Sequence, residues 1–185
     1  HNGRRRQRQM CIRDSYYSFA NVFLNDLGME GAAGKMIYGQ ISEAIFILAI
    51  PFLYYRLGVK NILIIGIAAW ALRFFFFANG DLESYYWMII SGILLHGICY
   101  DFFFVTGYMY TENKAGEKIK NAAQGLFTVA TYGIGMTIGS WFSGIITDSN
   151  TIEGIKNWGD IWMVPAYISG AVLLFLVVFF KEKNK

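Results

Sequence analysis

Two long runs without a charged residue constrain this chain more than any other feature. Residues 121–147 form 27 consecutive positions without Asp, Glu, Lys or Arg, and residues 161–180 form 20. An α-helix of about 20 apolar residues crosses the roughly 30 Å hydrocarbon core of a bilayer. Because 55% of the 185 residues are hydrophobic and these runs are too long for a soluble core, the sequence predicts an all-α, multi-pass membrane protein.

Together with these two runs, the remaining apolar segments give five predicted complete spans and one short helical remnant. The remnant covers residues 16–24, which is too short to cross a bilayer. The predicted spans cover about residues 36–55, 61–79, 85–110, 121–147 and 161–180.

The first 14 residues do not fit this pattern. Five of the 16 basic residues lie within the first 13 positions, and the segment lacks the apolar region of a signal peptide. A nucleic-acid-binding arm and a patch for anionic lipids are two interpretations. We favour a third, because RRRQRQMCIRDS resembles translated sequencing-adaptor sequence. We therefore expect residues 1–14 to be non-native, the chain to be a fragment, and nucleic acid not to be a partner.

The two cysteines predict neither a disulfide framework nor a metal site. Cys11 lies in the atypical N-terminal segment and Cys99 lies in an apolar run. Two cysteines without a ligand spacing give no zinc or disulfide pattern. We expect no metal and no cofactor.

Four ionisable residues lie inside the predicted spans: Glu43, Arg73, His96 and Asp101. Such residues are costly in a bilayer and are functional candidates by default. With a rise of about 1.5 Å per residue, Glu43 and His96 both fall near the middle of the bilayer. Arg73 is six residues from the outer end of its span, so we expect its side chain to extend to the outer interface.

Two pairs of polar residues share helix faces. Gln40 and Glu43 lie within about 60° of each other, which suits either a polar ligand or a hydrogen-bonded helix contact. His96 and Tyr100 are four residues apart and share a face. They form either a ligand-stacking wall or a packed aromatic ridge.

Other polar residues leave more than one interpretation open. Asp101 lies about 140° around the helix from His96, so it either pairs with a neighbouring helix or carries a proton. Gln124, Thr128 and Thr131 form a stripe that lines a path or bridges helices. The Gly135-x-x-x-Gly139 spacing favours close helix packing. No set of nucleophile, base and orienting group is apparent, and we expect the protein not to be an enzyme.

Several ordered motifs make the family recognisable. The segments are QISEAIFILAIPFLYYRLG at 40–58, VKNILIIGIAAWALRFFFFANGD at 59–81, HGICYDFF at 96–103 and AAQGLF at 122–127. Together they resemble the nucleoside:proton symporter family of the major facilitator superfamily, over about residues 19–181.

The resemblance implies a C-terminal six-helix half, helices 7 to 12, with its first helix truncated. It implies a proton-coupled nucleoside symporter of the bacterial inner membrane, whose partners are nucleoside, protons, lipid and a missing N-terminal half. Gln40, Glu43, His96 and Tyr100 match substrate-binding positions of the family. The resemblance places His96 at an aromatic position where one member of the family carries a tyrosine. Glu43 and Asp101 are the implied candidates for proton coupling.

Three other functions remain alternatives at this point. One is a facilitator of the same fold for another polar solute, such as a sugar or a nucleobase. Another is a membrane-embedded enzyme that uses His96 and Asp101. The third is a sensor that binds its ligand without moving it.

Basic residues indicate the orientation of the spans, because cytoplasmic loops carry an excess of Lys and Arg. Alternate loops and the C-terminal tail hold eight basic residues on one side: Arg56, Lys60, Lys114, Lys118, Lys120, Lys181, Lys183 and Lys185. The opposite side holds Lys35 and Lys156. The sequence therefore predicts that the C-terminus is cytoplasmic.

Cysteine labelling in intact cells tests this orientation. Single cysteines at Glu83 and Glu153, in a background without the native cysteines, should react with a membrane-impermeant maleimide from outside. A cysteine at Lys118 is the matched control, and it should react only after the membrane is permeabilised. External labelling at Lys118 alone would reverse the predicted topology.

Overall fold

The computed structural model describes residues 15–179, with side chains from Phe19 onward. The segment 1–14, which we expect to be non-native, and the basic tail residues Lys181, Lys183 and Lys185 lie outside the described residues. The helices are α1 (Ser15–Asp26), α2 (Ala32–Lys35), α3 (Ile37–Asn79), α4 (Tyr86–Tyr100), α5 (Thr106–Ala115), α6 (Lys120–Thr128), α7 (Met136–Ser149) and α8 (Trp158–Phe179).

Four stretches of the described chain are long and apolar enough to cross a membrane. They are Ala32–Asn79, Tyr86–Ala115, Lys120–Ser149 and Trp158–Phe179. The first is 48 residues long, about twice the length that a single span requires.

A sharp break divides α3 into two arms at Gly58. Its backbone has φ 74° and ψ 161°, a conformation that favours glycine. Ile50 on the first arm and Ile62 on the second belong to one buried cluster with Phe102, so the chain turns back on itself here. The break lies between the predicted spans at 36–55 and 61–79.

A π-helical segment lies inside each of the next two long helical stretches. Asp101–Val105 joins α4 to α5, and Val129–Gly135 joins α6 to α7. Such wide turns inside α-helices are rare and are frequent at functional sites. Both helices are continuous through these segments, so each runs as one long rod.

An aromatic core holds four helices together at one end of the bundle. Phe23 of α1, Phe77 of α3, and Trp158 and Trp162 of α8 are buried, and they pack with Ile89 and Ile93 of α4. The ring centroids of Phe23 and Trp162 are 5.5 Å apart, and those of Phe77 and Trp162 are 5.3 Å apart. These distances are typical of favourable aromatic pairs.

A short β-hairpin closes the same end. Strands β1 (Thr151–Ile152) and β2 (Ile155–Lys156) are antiparallel, and the turn residues Glu153 and Gly154 both have positive φ, at 52° and 83°. That is the backbone of a two-residue hairpin turn. Lys156 Nζ then lies 2.7 Å from the Asp26 carboxylate at the end of α1.

The loop before α4 is ordered by one carboxylate. Asp81 accepts hydrogen bonds from the backbone N–H groups of Glu83, Ser84 and Tyr85 at 2.6–3.0 Å. These bonds lower the pKa of Asp81, and the bond from the Tyr85 N–H group has the largest effect. The interaction orders the turn that leads into α4, which begins at Tyr86.

The rod from Lys120 to Ser149 packs more loosely than the rest. None of its residues is buried, and a cavity of about 580 Å³ separates it from α3 and α8. Nothing described lies within 4 Å of a Cβ built at Gly139. In the described part of the chain, the Gly135-x-x-x-Gly139 segment therefore makes no close helix contact, contrary to the packing that its spacing suggested.

Candidate functional site

The site begins where the first arm of α3 crosses α4 at very close range. A Cβ built at Gly97 would lie only 2.5 Å from the backbone N of Glu43 and the carbonyl C of Ser42. Ser42 Oγ donates a hydrogen bond to the Leu94 carbonyl at 2.6 Å. Because only glycine permits this approach, the crossing brings residue 43 of one helix beside residue 96 of the other.

Glu43 and His96 meet at this crossing. The Glu43 Oε2 and His96 Nε2 atoms are 3.7 Å apart. The Glu43 side chain is 31% exposed, whereas that of His96 is 9% exposed. The pair therefore has a buried end at the imidazole and an open end at the carboxylate.

Arg73 joins the pair from the second arm of α3, and its position corrects a prediction. Arg73 is 4% exposed, and its Nη1 atom lies 2.9 Å from His96 Nδ1. The guanidinium carbon is 5.3 Å from the centre of the Phe77 ring. The expected extension of Arg73 to the outer interface is therefore wrong, because an inward partner was available.

Tyr100 continues the site along α4 as part of an aromatic group. Its ring lies 5.8 Å from that of His96 and 4.9 Å from that of Phe104. Its hydroxyl is hydrogen-bonded to the hydroxyl of Tyr132. Tyr132 lies in the second π-helical segment, 5.2 Å from Phe104 by ring centroids.

Tyr132 was missed by sequence reasoning. The glycines of its span indicate a packing surface, and a single tyrosine carries no signal in a chain with 12 of them. Tyr132 could be identified only from the contact between the two π-helical segments, and sequence periodicity does not predict such segments.

Asp101 opens the first π-helical segment and is completely buried, at 0% exposure. Within the described residues, neither carboxyl oxygen has a hydrogen-bond partner, and the same holds for the buried Thr106 hydroxyl. An unpaired buried carboxylate is very unfavourable, whereas its protonated form is far less so. The surroundings of Asp101 therefore suit an acid that holds a proton.

Gln40 is the exposed member of the predicted set. It lies one turn before Glu43 on the first arm of α3 and is open on the surface of the chain. The structure thus brings Glu43, His96 and Tyr100 together, places Asp101 in the adjoining interior, and leaves Gln40 at the exposed edge.

The polar stripe of Gln124, Thr128 and Thr131, which runs from α6 into the second π-helical segment, bridges helices within the chain. Gln124 Nε2 donates to Glu112 at 3.0 Å, and Thr128 lies 2.9 Å from the Tyr108 hydroxyl. Thr131 donates to the Phe127 carbonyl of its own helix at 2.7 Å. In this structure the stripe connects α5 to α6.

The described residues hold no group of three or more His, Cys, Asp or Glu side chains that could bind a metal ion. The ionisable groups near the crossing are the carboxylate of Glu43, the imidazole of His96 and the guanidinium of Arg73. Such a set can hydrogen-bond a polar ligand or hold a proton.

Apolar spans that enclose a polar cluster are typical of membrane transporters. The sequence model of the Nucleoside H+ symporter family matches residues 9–185, and the chain belongs to this family. Its fold is that of one part of a major facilitator transporter, all helical and polytopic.

The relatives extend this result. The chain is 37% identical over 177 residues to "Putative nucleoside transporter YegT" of Escherichia coli K12, covering 91% of this chain and 42% of the relative. It is 34% identical over 164 residues to "Nucleoside permease NupG" of the same organism, covering 88% and 39%. It is 36% identical over 173 residues to "Xanthosine permease" of that organism, covering 88% and 41%. The chain thus spans about two fifths of these proteins.

A solved structure agrees. An aspartate-to-alanine variant of nucleoside transporter NupG superposes with a TM-score of 0.85 at 31% identity, covering 91% of this chain and 44% of that one.

Gly97→Ala should disrupt the crossing that forms the site. The added methyl group meets backbone atoms that cannot move aside, and overpacking of this kind costs about 1–3 kcal/mol. We expect a lower thermal midpoint and less folded material for the complete protein in detergent. Gly139→Ala is the matched control, because the described residues leave open space there. Equal stability of the two variants would contradict the close approach.

Proposed function

We propose that this chain is the C-terminal half of a proton-driven nucleoside symporter. The complete protein lies in the bacterial inner membrane, with this C-terminus in the cytoplasm, and it imports nucleoside together with protons. Its family membership supports this function, as do the names of its relatives, which are nucleoside transporters and permeases.

The observation that carries the proposal is the cluster of Glu43, His96 and Tyr100 at a tight helix crossing. A nucleoside combines an aromatic base with hydroxyl groups. The Tyr100 ring offers a face for the base, and the partly exposed Glu43 carboxylate accepts hydrogen bonds from N–H or O–H groups. Gln40 adds a donor and an acceptor on the same side.

The missing N-terminal half completes the site. In transporters of this architecture, the substrate lies near the midplane between two repeats, and rocking of one against the other gives alternating access. The exposed edge that carries Gln40 and the open end of Glu43 faces that partner in our proposal. A sugar or nucleobase carrier of the same fold is less well supported, since the names of these relatives refer to nucleosides.

Asp101 is our first candidate for the coupled proton. It is completely buried without a hydrogen-bond partner among the described residues, so ionisation requires rearrangement or a new partner. It directly follows Tyr100 in the chain. In our proposal, a change in the cluster of Glu43, His96 and Tyr100 on binding nucleoside therefore also changes the surroundings of Asp101.

Transport by the complete protein in proteoliposomes tests the coupling. Asp101→Asn should abolish uridine accumulation driven by an imposed proton gradient, while exchange of labelled for unlabelled uridine continues. The amide keeps the shape of the side chain but cannot release a proton. Asp148→Asn, at an exposed acid on α7, should accumulate uridine normally.

Glu43→Gln separates binding from coupling in the same assay. If Glu43 only hydrogen-bonds the nucleoside, this variant should bind uridine more weakly yet still accumulate it when a gradient is imposed. Gradient-driven accumulation by Asp101→Asn together with its loss in Glu43→Gln would assign the proton to Glu43. The absence of any uridine uptake by the wild-type protein would contradict the proposed function.

The role of Tyr100 gives a second prediction. Tyr100→Ala should weaken uridine binding by about 1–3 kcal/mol, the range for loss of a base–aromatic stack. Tyr100→Phe keeps the ring, so it should lose only the smaller contribution of the hydroxyl bond to Tyr132, about 0.5–1.5 kcal/mol. Titration calorimetry on the complete protein measures both, with Tyr167→Ala as an exposed control. Equal losses in the two Tyr100 variants would assign the effect to the hydroxyl.

A further inference from the structure

We propose that Arg73 is a positioning residue that fixes His96 in its Nε2–H tautomer, so that the imidazole directs an N–H group at Glu43. The consequence for the nucleoside rests on the proposed function. Arg73 itself does not contact the substrate in this proposal; it acts through His96.

The first step is the direction of the contact between Arg73 and His96. A guanidinium has only donors, and Arg73 Nη1 lies 2.9 Å from His96 Nδ1. Nδ1 must therefore be the acceptor, which means that it carries no proton. The remaining proton of a neutral imidazole then resides on Nε2.

The second step is that the surroundings hold Arg73 in place. It is 4% exposed, its guanidinium packs over the Phe77 ring at 5.3 Å, and Phe77 belongs to the aromatic core. A protonated imidazole would turn an Nδ1–H group toward this cation, so donor would face donor. The geometry therefore favours neutral His96 with one defined tautomer.

The third step is the position of Glu43. Its Oε2 atom lies 3.7 Å from His96 Nε2, so a small approach brings it into hydrogen-bond range. An ionised carboxylate only accepts, and it would receive the Nε2–H group on one oxygen. The exposed side of the carboxylate then remains free to accept from N–H or O–H groups of a nucleoside.

The combined result is a row of hydrogen bonds that all donate in one direction, from Arg73 to His96 and from His96 to Glu43. It gives a reason for a cation in the middle of an apolar helix, where a charge is costly unless it is used. It also gives the histidine a role that a tyrosine at this position could not fill in the same way. A tyrosine offers one hydroxyl, whereas the imidazole offers an acceptor to Arg73 and a donor to Glu43 at once.

Nitrogen-15 NMR of the complete protein with labelled histidine tests the tautomer directly. The signals of His96 are assigned by their absence in His96→Gln. In the wild-type protein we expect the proton on Nε2, and this measurement requires no folded Arg73 variant. A wild-type proton on Nδ1 would overturn the proposal.

The Arg73 variants test what sets the tautomer. Arg73→Met removes the donors at similar length, and the His96 signals should shift toward a mixture of tautomers. Arg73→Lys keeps a donor and should retain more of the Nε2–H form than Met does. Arg56→Met is the matched control, because Arg56 is an exposed guanidinium that packs over the Phe52 ring at 5.8 Å. An unchanged tautomer in Arg73→Met would overturn the proposal.

Uridine binding tests the consequence at Glu43. Arg73→Met should weaken binding about tenfold to a hundredfold, the range for losing a hydrogen bond to a charged group. The double variant with Glu43→Gln should bind no more weakly than the weaker single variant, because both act through one carboxylate. If the losses of binding free energy in the two single variants add up in the double variant, the proposal that Arg73 acts through Glu43 is overturned. If the wild-type protein binds no nucleoside, the proposed function fails, and the tautomer experiments alone decide the role of Arg73.

Discussion

The close approach of two helices at Gly97 is the contact on which the rest of the polar site depends. Inside a bilayer, each ionisable group needs a partner or a neutral form. Partners on different helices can meet only if the backbones come close, and small residues allow this. At Gly97, the first arm of α3 lies against α4 closely enough to leave no room for a Cβ. Glu43 and His96 face each other as a consequence.

The sequence predicts the fold class well because the membrane imposes length and hydropathy on each helix. The uncharged runs at 121–147 and 161–180 lie within the helical stretches Lys120–Ser149 and Trp158–Phe179, apart from Phe180, which is outside the described residues. The break at Gly58 falls where Arg56 and Lys60 predicted a loop. The structure separates the two arms there with little more than Gly58, since one residue with positive φ is enough to redirect the chain.

The site was less predictable because it depends on rotation and packing. Depth in the bilayer predicts Glu43 and His96 at one level, and the structure brings their side chains to 3.7 Å. Depth also suggested that Arg73 would extend outward, which proved wrong because His96 lies nearby on another helix. Similarly, an ideal helix puts Asp101 about 140° from His96. Both are nevertheless buried, since α4 is covered on more than one side where Gly97, Cys99 and Phe102 pack inward.

The two π-helical segments explain how aromatic and acidic groups come together at one place. A wide turn shifts the residues that follow it around the helix axis, so α4 and α5 do not present one continuous face. Asp101 enters the interior at that shift, and Tyr100, immediately before it, reaches Tyr132 in the second π-helical segment. The half-buried Tyr100 and the buried Asp101 are thus adjacent in sequence but differ in exposure. In the function proposed above, the first π-helical segment therefore directly follows the ring that stacks on the base and begins with the acid that holds the proton.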